Sequence, residues 1–162
     1  MPSGLVRRQK SGELHFVTFS CYRRLPLLEE SQGYAIFLRE LEAVRVRYQL
    51  RVIGYVLMPE HVHLLLTEPE DWPLSMALQV LKQESSRDLK VVEKQFWQRR
   101  YYDFNVRTEE KRVEKLKYMH RNPIRRGLVV APESWPWSSY RQYLTGERGV
   151  VEIASFRTKS LG

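Results

Sequence analysis

Four histidines occur in the chain: His15, His61, His63 and His120. Two of them stand one residue apart in a hydrophobic run, MPEHVHLLL. Side chains alternate along a strand, so His61 and His63 project from one face with Cβ atoms ~7 Å apart, while Val62 points the other way into a core. Two imidazoles so placed can share one divalent cation, and two strand histidines satisfied separately by polar neighbours would carry the same pattern. An apolar strand is a costly place for two polar rings without a task. The segment LKYMHRNP (116–123) offers partners for them. On a helix Tyr118 and Asn122 are four residues apart and share a face. The Asn122 amide oxygen is a hard metal ligand. Tyr118, among Lys117, Arg121, Arg125 and Arg126, has the oxygen of a nucleophile. His120 falls on the opposite side, in line with Val113 and Leu116, and is expected to pack or cap.

Other chemistries lack their residues. Glu60 adjoins His61 in sequence and is expected on the other face, which leaves no evident carboxylate pair for acid/base hydrolysis. Neither G-x-x-x-x-G-K-[ST] nor G-x-G-x-x-G is present, so no phosphate-binding glycine loop is expected. Cys21 lies in an apolar stretch and reads as a small core residue. One cysteine forms neither an internal disulfide nor a cysteine-rich metal cage.

The elements that must position these groups follow from periodicity. LHFVTFSCY (14–22) reads as a strand. Tyr34, Phe37, Leu38, Leu41, Val44 and Tyr48 recur at helical spacing, giving a helix over roughly 31–48. VIGYVLM (52–58) and HVHLLLT (61–67) read as a hairpin broken at Pro59-Glu60. Asp71 and Pro73 open a helix with a stripe of Leu74, Ala77, Leu78, Leu81, Ser85, Leu89 and Val92. FWQRRYYDFNV (96–106) reads as a strand. Thr108 caps a final helix with Glu109 and Glu110 in its first turn, ending near Asn122 because Pro123 follows. The order β-α-β-β-α-β-α implies an α+β fold. Its first six elements form a ferredoxin-like antiparallel sheet with two helices on one face, followed by an additional C-terminal catalytic helix. Residues 123–162 read as an extension over a core of about 14–122, within a single domain of 162 residues. WPWSSY (135–140) is its packing anchor.

Charge points to the partner. The formal net charge is +8 and the isoelectric point near 9.7. Between Lys94 and Arg126 there are eleven basic residues against four acidic ones, nearly the whole excess. Phe96, Trp97, Tyr101, Tyr102, Phe104 and Tyr118 interleave with them. Lysine and arginine neutralise phosphates and aromatic faces stack on unpaired bases, so nucleic acid is expected. Arg99, Arg100 and Arg107, with Lys117, Arg121, Arg125 and Arg126, are the candidate phosphate contacts, and Tyr101, Tyr102 and Asn105 the candidate base contacts. The longest stretch without a charge is ten residues, Trp72–Leu81, short of the ~20 that span a bilayer. The start MPSGLVRRQK lacks the apolar run of a secretory signal. A cytoplasmic protein with no membrane contact is expected.

Four stretches, MPEHVHLLL (58–66), FWQRRYYDFNVR (96–107), KLKYMHRNPIRRGLV (115–129) and WPWSSY (135–140), occur in the order in which similar ones occur in single-tyrosine HUH transposases. Within those, the chain from about Leu14 to Tyr143 most resembles the REP-associated tyrosine transposases. The resemblance implies that His61 and His63 bind Mg2+ or Mn2+ and that Tyr118 is the nucleophile. It places Asn122 as third ligand where related insertion-sequence enzymes have Gln. It further implies cleavage of single-stranded or hairpin DNA through a 5′-phosphotyrosine, by a monomer or a homodimer. Two other readings use the same residues. One is a metal phosphodiesterase that activates water. The other is a non-catalytic single-strand DNA- or RNA-binding module on the same sheet.

Overall fold

A computed structural model describes residues 13–89, 91 and 95–154. Val92 and Lys94, named above in the helix stripe and the basic segment, lie outside the described residues.

Four strands form one sheet: β1 (Leu14–Ser20), β2 (Val52–Leu57), β3 (His61–Thr67) and β4 (Tyr102–Val106). Their order is β2-β3-β1-β4 and every pairing is antiparallel. This is the expected ferredoxin-like sheet. Helices α2 (Tyr34–Tyr48) and α3 (Leu74–Asp88) cover one face, and α4 (Glu109–Arg125) covers the other. The two cores divide along the strand alternation. Val17, Phe19, Val62, Leu64 and Leu66 pack with Phe37, Leu41 and Leu81 of α2 and α3. Phe16, Ile53, Val56 and Leu65 pack with Met119 of α4. Burial on both faces explains why β2 and β3 read as unbroken apolar runs. His61 and His63 share the face of Leu65, so they lie under α4.

Several boundaries differ from the expectations. β1 stops at Ser20, because Cys21 leaves the ladder and Arg23 and Arg24 adopt positive φ of 54° and 55° in a tight turn. The helix expected over 31–48 begins at Tyr34, after a separate one-turn helix α1 (Leu27–Glu30). The strand expected over 96–106 forms only from Tyr102. Phe96 and Trp97 are both buried, and neighbouring residues of a strand cannot bury on the same side. Here the chain runs irregularly, held by Tyr22 N–H donating to Phe96 O and Gln98 N–H to Ser20 O, with the Trp97 indole donating to Ser85 Oγ.

Helix α4 begins as expected, with Lys111 N–H donating to Thr108 Oγ1 at 3.0 Å. It does not end at Asn122: it includes Pro123 and reaches Arg125. A proline in the last turn removes one ladder bond without stopping the helix. Gly127, at φ 74°, ends it, with Gly127 N–H donating to Ile124 O and Leu128 N–H to Pro123 O.

The extension lies over β2 and α4. The Trp135 indole donates to Leu57 O, Trp137 stacks on Tyr34 with ring centroids 5.1 Å apart, and Ser139 N–H donates to Tyr55 O. A short helix α5 (Tyr140–Thr145) follows. Among the described residues no helix is long and apolar enough to cross a membrane.

Candidate active site: a histidine pair beneath a tyrosine helix

His61 stands opposite Ser20 and His63 opposite Thr18 in the β1–β3 ladder. Both rings are buried, and their Nε2 atoms face each other at 3.1 Å. The other nitrogen of each ring is engaged: His61 Nδ1 with Glu60 Oε2 at 2.8 Å, and His63 Nδ1 with Thr18 Oγ1 at 2.7 Å. A carboxylate accepts the Nδ1–H of His61 and so leaves the lone pair on its Nε2. Burial is the largest influence on both imidazoles and lowers them, His63 to about 3 with help from the charges of His61 and Arg24. Both are therefore neutral near pH 7, the form that binds a metal.

These residues fit a divalent ion. Two neutral imidazole nitrogens 3.1 Å apart, each with its other nitrogen engaged, are a donor set that would hold one divalent ion between them.

Glu60 corrects the sequence expectation. It precedes the strand rather than belonging to it, so alternation does not apply, and its buried carboxylate turns to His61. Burial would raise this carboxyl. Hydrogen bonding from Arg126 and the charge of His61 outweigh it and hold the group near 2. Arg24, placed by the positive-φ turn, reaches the same carboxylate with Nη2 at 3.3 Å.

Helix α4 crosses above the pair. The Tyr118 ring meets His63 edge-on with centroids 5.4 Å apart, and Phe16 stacks under His63 at 5.2 Å. Tyr118 is 40% exposed, so a ligand can reach the residue from solvent. The Arg125 guanidinium sits 4.6 Å above that ring. Asn122, buried, lies one turn beyond Tyr118 and one turn before Arg126 on the same side. The helix comes this close because Gly54 of β2 has no side chain. A Cβ there would stand 2.6 Å from Leu116 Cδ2 and 3.2 Å from Met119 Cε. Sequence reasoning missed Gly54, Thr18, Phe16 and Arg24. Only the glycine in the middle of an apolar strand carried a signal, since such residues mark close approach.

The remaining candidates fall in three places. Arg99, Arg100 and Tyr101 line an open groove with Thr18, Ser20, Arg24 and Tyr102, and Thr18 and Ser20 are the ladder partners of His63 and His61. Arg107, Lys117 and Arg121 are exposed, Arg107 before α4 and the other two on it. Asn105 pairs with His15 toward the other end of β1 from His61, and its amide donates to Glu13 Oε1 at 2.8 Å. Arg126 binds Glu60 through both nitrogens while keeping 43% of its side chain exposed. His120 turns away from the pair as expected. Its Nε2 is 2.8 Å from Ser139 Oγ, and its ring packs against Tyr140 and Tyr143.

This fold, with a paired histidine strand under a tyrosine helix, defines a class. The family model "Transposase IS200 like" matches residues 8–122, and the chain belongs to that family. The REP-associated tyrosine transposase of Escherichia coli K12 is 25% identical over 145 residues, 89% of this chain and 84% of that protein. A Haemophilus influenzae protein that carries the same name provisionally is 27% identical over 113 residues, 62% of this chain. That match spans 64% of the Haemophilus protein's length. A solved REP-associated tyrosine transposase, bound to a REP hairpin, superposes with a TM-score of 0.70 over 90% of each chain at 23% identity, which establishes the shared fold.

Proposed function

We propose that this chain is a metal-dependent single-strand DNA endonuclease and strand transferase that acts on hairpin-forming repeat DNA through Tyr118. The observation that carries the reading is the edge-on approach of Tyr118 to His63, whose Nε2 converges with that of His61. The E. coli relative's name and the hairpin-bound neighbour support the substrate class.

His61 and His63 would hold Mg2+ or Mn2+, with the Asn122 amide oxygen as third ligand. A cation held there supplies Lewis-acid polarisation of the scissile phosphate. Tyr118 attacks phosphorus with its phenolic oxygen, in line with the 3′ oxygen that leaves. One P–O bond forms and one breaks, the phenolic proton passes to solvent, and the departing strand ends in a 3′-OH. The 5′-phosphotyrosine keeps the phosphodiester energy, so another 3′-OH can reverse the step. Arg125 orients the tyrosine ring. Arg99, Arg100, Arg107, Lys117 and Arg121 would bind phosphates, and Tyr101 would stack a base.

Tyr118→Phe tests this. It removes one oxygen from a 40% exposed residue, so stability should change by at most ~1 kcal/mol. On hairpin DNA with single-stranded flanks, wild type should form a covalent protein–DNA adduct with Mg2+ or Mn2+, and Tyr118→Phe should not. An adduct with the Phe variant would name another nucleophile. Cleavage by wild type without an adduct would establish water as the nucleophile.

A further inference from the structure

A second cluster of metal-ligating groups lies at the opposite end of the sheet, on the face of α2 and α3. Glu13, His15 and Glu68 each offer one donor atom, and these atoms lie within 4.8 Å of one another. His15 pairs with Leu66 of β3 and Asn105 of β4, whereas His61 stands at Ser20, five residues further along β1. At ~3.3 Å per residue the two places are separated by ~17 Å along the strand.

Hydrogen bonding within the cluster leaves one buried carboxylate oxygen without a partner among the described residues. His15 Nδ1 lies 2.8 Å from Asp103 Oδ1, so that carboxylate accepts the Nδ1–H and fixes the orientation of the ring. Nε2 lies 2.6 Å from Glu68 Oε2, so a protonated ring donates to both carboxylates, and a cation bound between them would take the place of the Nε2 proton. The Glu68 side chain is 7% exposed, and its second oxygen, Oε1, is buried with no hydrogen-bond partner among the described residues. Glu13 is half-buried, and its Oε1 accepts from the Asn105 amide at 2.8 Å, which fixes the carboxylate toward the cluster. Three carboxylates around one imidazole exceed the charge that a single proton on His15 would balance.

We propose that Glu13, His15 and Glu68 bind a structural divalent cation, with Asp103 orienting His15 and Asn105 orienting Glu13. One imidazole and two carboxylates with an oriented histidine suit Zn2+, the remaining position going to water. The ion ties the start of β1 to the end of β3. Through Asp103 and Asn105 it also holds β4, an edge strand whose only ladder partner among the described residues is β1. This site is independent of the histidine pair.

The test uses the full chain carrying His61→Ala and His63→Ala, which removes the other pair. After stripping with EDTA, equilibrium dialysis against Zn2+ should give one ion per chain, and thermal unfolding should shift upward by several degrees on loading. Adding Glu13→Gln should weaken Zn2+ binding at least tenfold, as should Glu68→Gln, with folding checked by circular dichroism. Should Glu68→Gln fail to fold, the half-buried Glu13→Gln decides. Absence of Zn2+ binding by the His-pair variant would overturn the proposal, as would binding that Glu13→Gln leaves unchanged.

Discussion

Arg126 closes on Glu60 with two nitrogens, Nη1 to Oε2 at 2.6 Å and Nη2 to Oε1 at 3.2 Å. One residue beyond the tyrosine helix is thereby fastened to the carboxylate that orients His61. The ion pair couples the position of Tyr118 to the tautomer of His61, whose Nε2 meets that of the His63 ring beside the tyrosine.

Under the proposed function, breaking that link should weaken metal binding. Arg126→Met leaves Glu60 with Arg24 and His61, and Glu60→Gln removes the strong acceptor at His61 Nδ1. Loss of such an orienting partner lowers metal affinity about 10–100-fold in comparable sites. Mn2+ titration followed by electron paramagnetic resonance measures it. Unchanged Mn2+ affinity in both variants would reduce the pair to a tether between helix and sheet.

Gly54→Val should separate helix from sheet. The added branches meet Leu116, Met119 and Ser139, and overpacking of this kind costs about 1–3 kcal/mol. Urea unfolding should register that loss, and adduct formation should fall by more than the change in folded fraction. Gly54→Ala should be milder, because the nearest atom is the end of the flexible Leu116 side chain.

Acid stability should depend on His120. Burial lowers its imidazole to about 4, against 6.5 when unfolded. Between those values the unfolded chain binds the extra proton, so stability is complete above pH 6.5 and is lost as pH falls toward 4. The contribution is on the order of 3 kcal/mol. Urea melts at pH 7.5 and 4.5 in EDTA should show a smaller acid loss for His120→Gln than for wild type. Equal losses would place the acid sensitivity elsewhere.

DNA binding should weaken steeply with salt. With ~4–6 phosphate contacts the slope of log K against log salt is roughly −3 to −4 for a single strand. Arg99→Ala with Arg100→Ala should make that slope shallower by about 1.4, or ~0.7 for each lost contact. A slope unchanged by the pair would move the DNA path away from the groove that holds them.

Whatever depends on local periodicity was legible in the chain. The period-2 run 61–67 put His61 and His63 on one face, and the 3.6-residue spacing put Tyr118 and Asn122 on another. The βαββαβ order and the Thr108 cap followed from similar short-range patterns. Tertiary structure decided which face met which. Nothing in the sequence said that α4 lies against the sheet face opposite α2 and α3, because an amphipathic helix buries its apolar stripe equally well on either side. That choice rests on Gly54, Met119 and Phe16, which come from three separate elements. Glu60 was misread because alternation holds only inside a strand, and its carboxylate is steered by Arg24 and Arg126, 36 and 66 residues away. The strand expected from Phe96 shrank because Phe96 and Trp97 both find apolar surface in the core, and that burial outweighs the ladder bonds a longer strand would have made.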